Sequence, residues 1–313
     1  MANFDFYEGE GMCKKKGLIA VTVLLIALTV LGSFLDYQTA QAVYIGQMPN
    51  ENFFGVLFAF IGIIPTFVGW SFLGASILYL ARKQDFGKKK RGFLTALSVL
   101  LFVLSFFYFC NTLFLVNETA FSVHWAIAYS VGVATISLAA YLGYKLAKNS
   151  KNPNLLKKIL FLTAVSLLTM VVVMLTKELM DRPRYRLVIE TGRADFFRNW
   201  WQSGSAVKES LGANAVNDEF ASFPSGHSAY AMFAIFLFPL LADYTARLEK
   251  YRGMLFIGGV LWWGLTAFSR MTVGAHYLTD VCIAGLVTVF AYVFVLWVKV
   301  LVARGKKEKE LND

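Results

Sequence analysis

Between Lys177 and Asp280 the chain carries three short polar motifs whose residue types suit phosphoryl chemistry. They read Lys177-x6-Arg184, Pro224-Ser225-Gly226-His227 and Ser269-Arg270-x5-His276-x3-Asp280. Several cations can hold a phosphate, one imidazole can attack it, and a second can protonate the leaving group. Charge placed beside hydrocarbon is costly, so such a cluster calls for a function.

His276 and Asp280 are four residues apart at the start of an apolar stretch. That spacing puts both on one helix face, where a carboxylate fixes the imidazole tautomer and leaves the other nitrogen free to attack. Alone, the pair is the kind of hydrogen bond that helices often carry for structure. Arg270 adds a permanent cation that forks well onto phosphate oxygens. Pro224 suits a first helical turn, whose unpaired N–H groups favour an anion, and Gly226 lets a phosphate approach the backbone. His227 then lies within reach of a departing alkoxide. Lys177 and Arg184 could neutralise phosphate charge in the transition state. Arg182 and Arg186 read as solvated loop cations, and Arg182 is the fallback for the motif arginine.

The elements that must hold these groups are apolar helices. Of 313 residues 57% are hydrophobic and 16% charged, well below the quarter typical of soluble domains. Eight segments at about 17–36, 55–81, 92–116, 122–146, 156–180, 224–243, 253–271 and 276–303 are long enough to cross a bilayer. The expected fold is all-α, a polytopic bundle forming one integral-membrane domain over 1–313, with one sizeable loop at about 181–223.

Net charge is +10, yet the cations sit in short loops, which argues against nucleic acid and for membrane orientation. Lys and Arg follow the second, fourth, sixth and eighth segments, and none lies between the first and second or the third and fourth. The expected topology therefore has cytoplasmic termini and all three motifs on the outer face of the cell membrane. The Phe196–Trp201 stretch, rich in aromatic residues, suits the headgroup region. The basic patch, apolar run and Ala40-Gln41-Ala42 resemble a signal peptide, but the run is longer than a usual signal core, which favours a retained helix. Cys13 beside Lys14–Lys16 reads as a plain thiol rather than an acylation site. No metal-ligand spacing is present.

The three motifs resemble those of the type-2 phosphatidic acid phosphatase superfamily over roughly 177–280, and look like its membrane-bound bacterial branch. The resemblance implies a six-helix core and a phosphatase that needs no metal or other cofactor. It implies that His276 is the nucleophile of a phosphohistidine intermediate, oriented by Asp280. His227 would serve as acid and then base, with Lys177, Arg184, Arg270, Ser225 and Gly226 on the phosphoryl oxygens. Two departures stand out: Arg184 is followed by Tyr185 rather than proline, and there are eight segments rather than six.

The expected substrate is a lipid phosphate or pyrophosphate taken from the bilayer, with membrane lipids as the other partners. Transfer of the phosphoryl group to a lipid or sugar acceptor would use the same first step. A transporter with charges but no chemistry is a third class; the clustering of charge at one face argues against it.

Overall fold

The computed structural model describes residues 15–116 and 125–312. Cys13 and Lys14 lie outside the described residues. Among the described residues the chain is helical without strands, and eight helices are long and apolar enough to cross a membrane. They coincide with the eight segments expected from hydropathy.

Three spans depart from simple rods. The first helix, α1 (Lys15–Val43), runs seven residues past Asp36, where the apolar run ends. The second span is broken into α2 (Phe53–Ile61) and α3 (Ile64–Lys83). Pro65 lacks an N–H for the preceding turn, which explains the interruption at Gly62–Ile63. The sixth span is α9 (Gly226–Met232) followed by α10 (Ala234–Tyr244), with Phe233 between them.

The remaining helices are α4 (Lys88–Val116), α5 (Trp125–Asn149), α6 (Leu155–Met180), the short α7 (Tyr185–Thr191) and α8 (Ser205–Leu211), then α11 (Arg252–Thr272) and α12 (Leu278–Asn312). Helices α4 and α5 pack mainly on α3, whereas α1 packs along α12. Small residues permit these close approaches, as expected where lipid gives helices no hydrophobic reason to associate. A Cβ on Gly143 would sit 2.1 Å from the Phe72 carbonyl oxygen, and one on Gly32 would sit 2.8 Å from Thr279 Cγ2. Outward faces remain apolar, with Phe34, Phe107, Leu138 and Phe290 all exposed.

Several buried charges are paired across helices at both ends of the bundle. At the end away from the motifs, Asp243 of α10 accepts from Lys158 of α6 (2.7 Å), Asn152 (3.0 Å) and Arg252 of α11 (3.0 Å). At the other end α6 stops at Asp181, which takes the left-handed conformation two residues before Pro183. A proline disfavours helix for the residue before it, which matches the stop.

The 181–223 segment is a folded cap. Its core is Leu187, Val188, Phe196, Val207 and Phe220. The aromatic stretch is therefore more inward than expected. Phe196 is buried, Phe197 packs edge-on to Tyr37 and Tyr277, and Trp200 donates to Ser33 Oγ (2.9 Å) and stacks on Phe223. Trp201 alone of the four is well exposed.

Candidate active site

Backbone hydrogen bonds stitch the three motifs together. Arg184 N–H donates to Glu219 O (2.8 Å), Ser222 N–H to Arg182 O (3.1 Å), and Arg186 N–H to Gly274 O (3.0 Å). Ser225 N–H donates to Asp280 O (3.1 Å), which ties the second motif to the third. The turn after α11 folds back on itself: the Arg270 carbonyl accepts from both Ala275 (3.1 Å) and His276 (3.3 Å). Gly274 supplies the positive φ of 65° that this turn needs.

His276 is buried, and its Nδ1 lies 2.6 Å from the Ser222 carbonyl oxygen. A carbonyl only accepts, so Nδ1 carries the proton and Nε2 keeps a free lone pair. Burial, with Lys177, Arg184 and Arg270 nearby, holds the imidazole well below its ordinary pKa. The ring is thus neutral, as a nucleophile must be.

Asp280 does not hydrogen-bond that ring, contrary to the spacing argument. Its Oδ2 is 3.9 Å from Nδ1, beyond hydrogen-bond reach. The reason is local: α12 begins at Leu278, so His276 lies outside the helix and the four-residue rule fails. Asp280 Oδ2 instead accepts from Ser222 Oγ (2.6 Å) and Tyr277 N–H (2.8 Å), while Oδ1 accepts from Arg182. The carboxylate fixes Ser222, and Ser222 fixes the imidazole.

Arg184 and Arg270 are both buried, and the Nε of each has no hydrogen-bond partner. Arg184 spends Nη2 on Asp218 (2.7 Å), whose carboxylate also meets Arg186 (2.9 Å). Against partial desolvation, the two guanidinia hold the pKa of the largely exposed Asp218 below the usual carboxylate range. Lys177 Nζ donates to the Ala221 carbonyl, which leaves further ammonium donors to spare. Its Cε would lie 3.6 Å from a Cβ placed on Gly226, so the lysine stem crosses directly over the glycine.

The second motif forms the opposite wall. Ser225 caps α9: its Oγ accepts from Ser228 N–H (3.3 Å) and shares a 2.9 Å bond with Ser228 Oγ. The Ser225 hydroxyl thus bonds to Ser228 within the first turn of α9. His227 lies close enough to His276 and to the Ala59 backbone for each to bear on its ring. That contact comes from the last turn of α2, where the break before α3 leaves carbonyls without helical partners.

Arg182 proves to be fully buried rather than solvated. It donates from Nε to Arg198 O (2.9 Å), from Nη1 to Thr279 Oγ1 (3.0 Å) and Asp280, and from Nη2 to Asp36 Oδ2 (2.9 Å). Arg184 thus keeps a buried Nε–H without a partner, whereas four of the five Arg182 N–H donors are taken. Among the described residues, no group of three or more His, Cys, Asp or Glu side chains is arranged to hold a metal ion.

Buried guanidinium N–H donors without partners therefore lie near a neutral imidazole, an arrangement suited to holding an anion. Residues 156–304 match the family model described as the PAP2 superfamily. That segment, a little under half of the chain, is similar to the PAP2 superfamily. No curated protein and no solved structure matches it. PAP2 superfamily members are phosphatases, which supports a phosphoester hydrolase here. The PAP2 match runs from α6 to α12, so α1 to α5 lie outside it.

Sequence reasoning missed Asp36, Ser222 and the Ala59 backbone contact. Asp36 did leave a signal, because an acid at the end of an apolar run is costly without a partner. Ser222 and Ala59 act through backbone oxygens, which residue types do not reveal.

Proposed function

We propose that the protein is an integral-membrane phosphatase that hydrolyses a lipid-linked phosphate or pyrophosphate at the outer face, through a phosphohistidine. The observation that carries this reading is the pair of buried, unpartnered Nε–H donors on Arg184 and Arg270 beside His276. Such donors are costly unless an anion takes them.

In the first step His276 Nε2 attacks phosphorus, a P–N bond forms, and the P–O bond to the lipid breaks. Lys177, Arg184 and Arg270 hold the equatorial oxygens, where charge redistributes in the transition state. His227 gives its proton to the leaving oxygen. The substrate's own negative charge offsets the cations, which favours a protonated His227 in the complex. Water then attacks the phosphohistidine, His227 takes a proton from it, and orthophosphate leaves. Asp280 and Ser222 keep the His276 lone pair aimed throughout.

An amphiphilic substrate suits a site at the end of a helical bundle whose outward faces are apolar. The charge alternation of the loops supports an outer position for that end.

The test is phosphate release by detergent-purified protein from a panel of lipid phosphates and diphosphates, with and without EDTA, beside His276→Ala. Release that disappears in the variant is expected. Undiminished release by His276→Ala overturns the nucleophile, and no release from any lipid by folded wild-type protein overturns the phosphatase reading.

A further inference from the structure

We propose that Asp36, on α1 and outside the PAP2-matched segment, is a positioning residue that sets the aim of His276 through Arg182, Asp280 and Ser222. The proposal rests on the phosphatase reading above.

Asp36 is almost wholly buried although it lies in a helix whose neighbours face outward. Its Oδ1 accepts from Thr279 N–H (2.9 Å), and its Oδ2 accepts from Arg182 Nη2 (2.9 Å) and from Thr279 Oγ1. The first contact makes Asp36 a cap for α12, supplied by another helix: Thr279 N–H belongs to the opening turn, where no intrahelical acceptor exists. The second contact places the Arg182 guanidinium between two carboxylates, Asp36 on one side and Asp280 on the other.

From Asp280 the chain of contacts continues through Ser222 Oγ (2.6 Å), and the Ser222 carbonyl holds His276 Nδ1 (2.6 Å). Every side chain along this route is buried, from Asp36 through Arg182, Thr279, Asp280 and Ser222 to His276. Water therefore cannot easily replace a lost partner. Gly32 lets α1 come this close, since its nearest neighbours are Thr279 and Asp36 itself.

Asparagine in place of Asp36 keeps the shape but has one acceptor oxygen. Donors meet both carboxylate oxygens, so the amide nitrogen must face either Thr279 N–H or Arg182 Nη2–H. Arg182 then shifts toward Asp280 alone, and the Ser222 carbonyl moves with that carboxylate. Lys177, Arg184 and Arg270, which hold phosphate in the proposed reaction, are not touched by Asp36.

The test compares the full chain in detergent as wild type, Asp36→Asn, Asp36→Glu, Arg182→Met and the Asp36→Asn/Arg182→Met double variant, on a lipid phosphate that the wild type hydrolyses. Misplacement of a reacting group by about 1 Å costs up to roughly 100-fold. Asp36→Asn should therefore lower kcat by about 10- to 100-fold and leave KM within about twofold. Asp36→Glu should recover part of the loss. In the Arg182→Met background Asp36→Asn should have little further effect, because the connecting guanidinium is gone. An Asp36→Asn kcat within twofold of wild type overturns the proposal. So does a loss of kcat that tracks melting temperature, raises KM and is not relieved by glutamate, the pattern of a merely structural residue. A wild type that releases phosphate from no lipid overturns the phosphatase reading, and the positioning role with it.

Discussion

Replacing Arg270 with methionine should make the protein more stable and far less active. The Arg270 Nε–H is buried with no acceptor, and Arg184 lies close enough for like charges to interact. A buried donor left unpaired costs about 1–3 kcal/mol, and more when charged. Methionine fills much of the same volume without that cost. Arg270→Met should therefore gain about 1–3 kcal/mol, seen as a rise of a few degrees in the thermal midpoint of detergent-solubilised protein. The backbone of the turn survives the change, because the Arg270 carbonyl still accepts from Ala275 and His276. Chemistry does not survive. Loss of one preorganised donor from a transition-state anion site costs about 100- to 1,000-fold in kcat. Orthovanadate, a phosphate analogue, provides a second readout. At about 100 times its dissociation constant it should stabilise the wild type by about 2.7 kcal/mol. The variant should respond weakly at the same concentration. A variant that melts below wild type and keeps its rate within tenfold would refute the reasoning.

Other outcomes follow from the same geometry. His227→Ala should lose much less activity on substrates with good leaving groups than on alkyl phosphates, whereas His276→Ala should be inactive on both; equal losses for His227→Ala across a leaving-group series would remove its acid role. Burial and the surrounding cations depress the His276 pKa, so its neutral form persists as pH falls. In a His227→Ala background, kcat/KM for an aryl phosphate should accordingly show its imidazole limb well below pH ~6.5, and a limb at or above that value would contradict the assignment. Asp243→Ala should leave Lys158 buried without its carboxylate and cost about 3–5 kcal/mol of stability, read as a lower thermal midpoint.

The eight spans were legible because lipid demands continuous apolar stretches, and no soluble core imitates that pattern at such length. Hydropathy could not show where α1 ends, since Tyr37 to Val43 continue as helix after the apolar run stops. They are held there by contacts to the cap, with Ala40 packed among Tyr37, Tyr44, Tyr185 and Tyr277. The motif cations and both histidines were legible from residue type and from the topology that gathers them. Their couplings were not. The His276–Asp280 spacing implied a helix-face contact, but the helix starts two residues too late. Arg182 and Arg184 differ in role though not in type, and only the position of Asp36 distinguishes them.

The clasp around Asp243 also has a mechanical consequence. It joins α6 at Lys158, α10 at Asp243 itself and α11 at Arg252. Lys177 and Arg270 lie 19 and 18 residues away on α6 and α11, and His227 lies 16 residues away on α9, beyond the break at Phe233. At about 1.5 Å per residue those arms are about 24–28 Å long. The three helices thus resemble the legs of a tripod bolted together at the end opposite the chemistry. Leverage follows: a tilt of about 5° at the bolt displaces the far tips by about 2 Å, comparable to the difference between a methylene and a methyl-branched chain. The stiffness of an ionic joint remote from His276 therefore bears on how far apart Lys177, His227 and Arg270 are held.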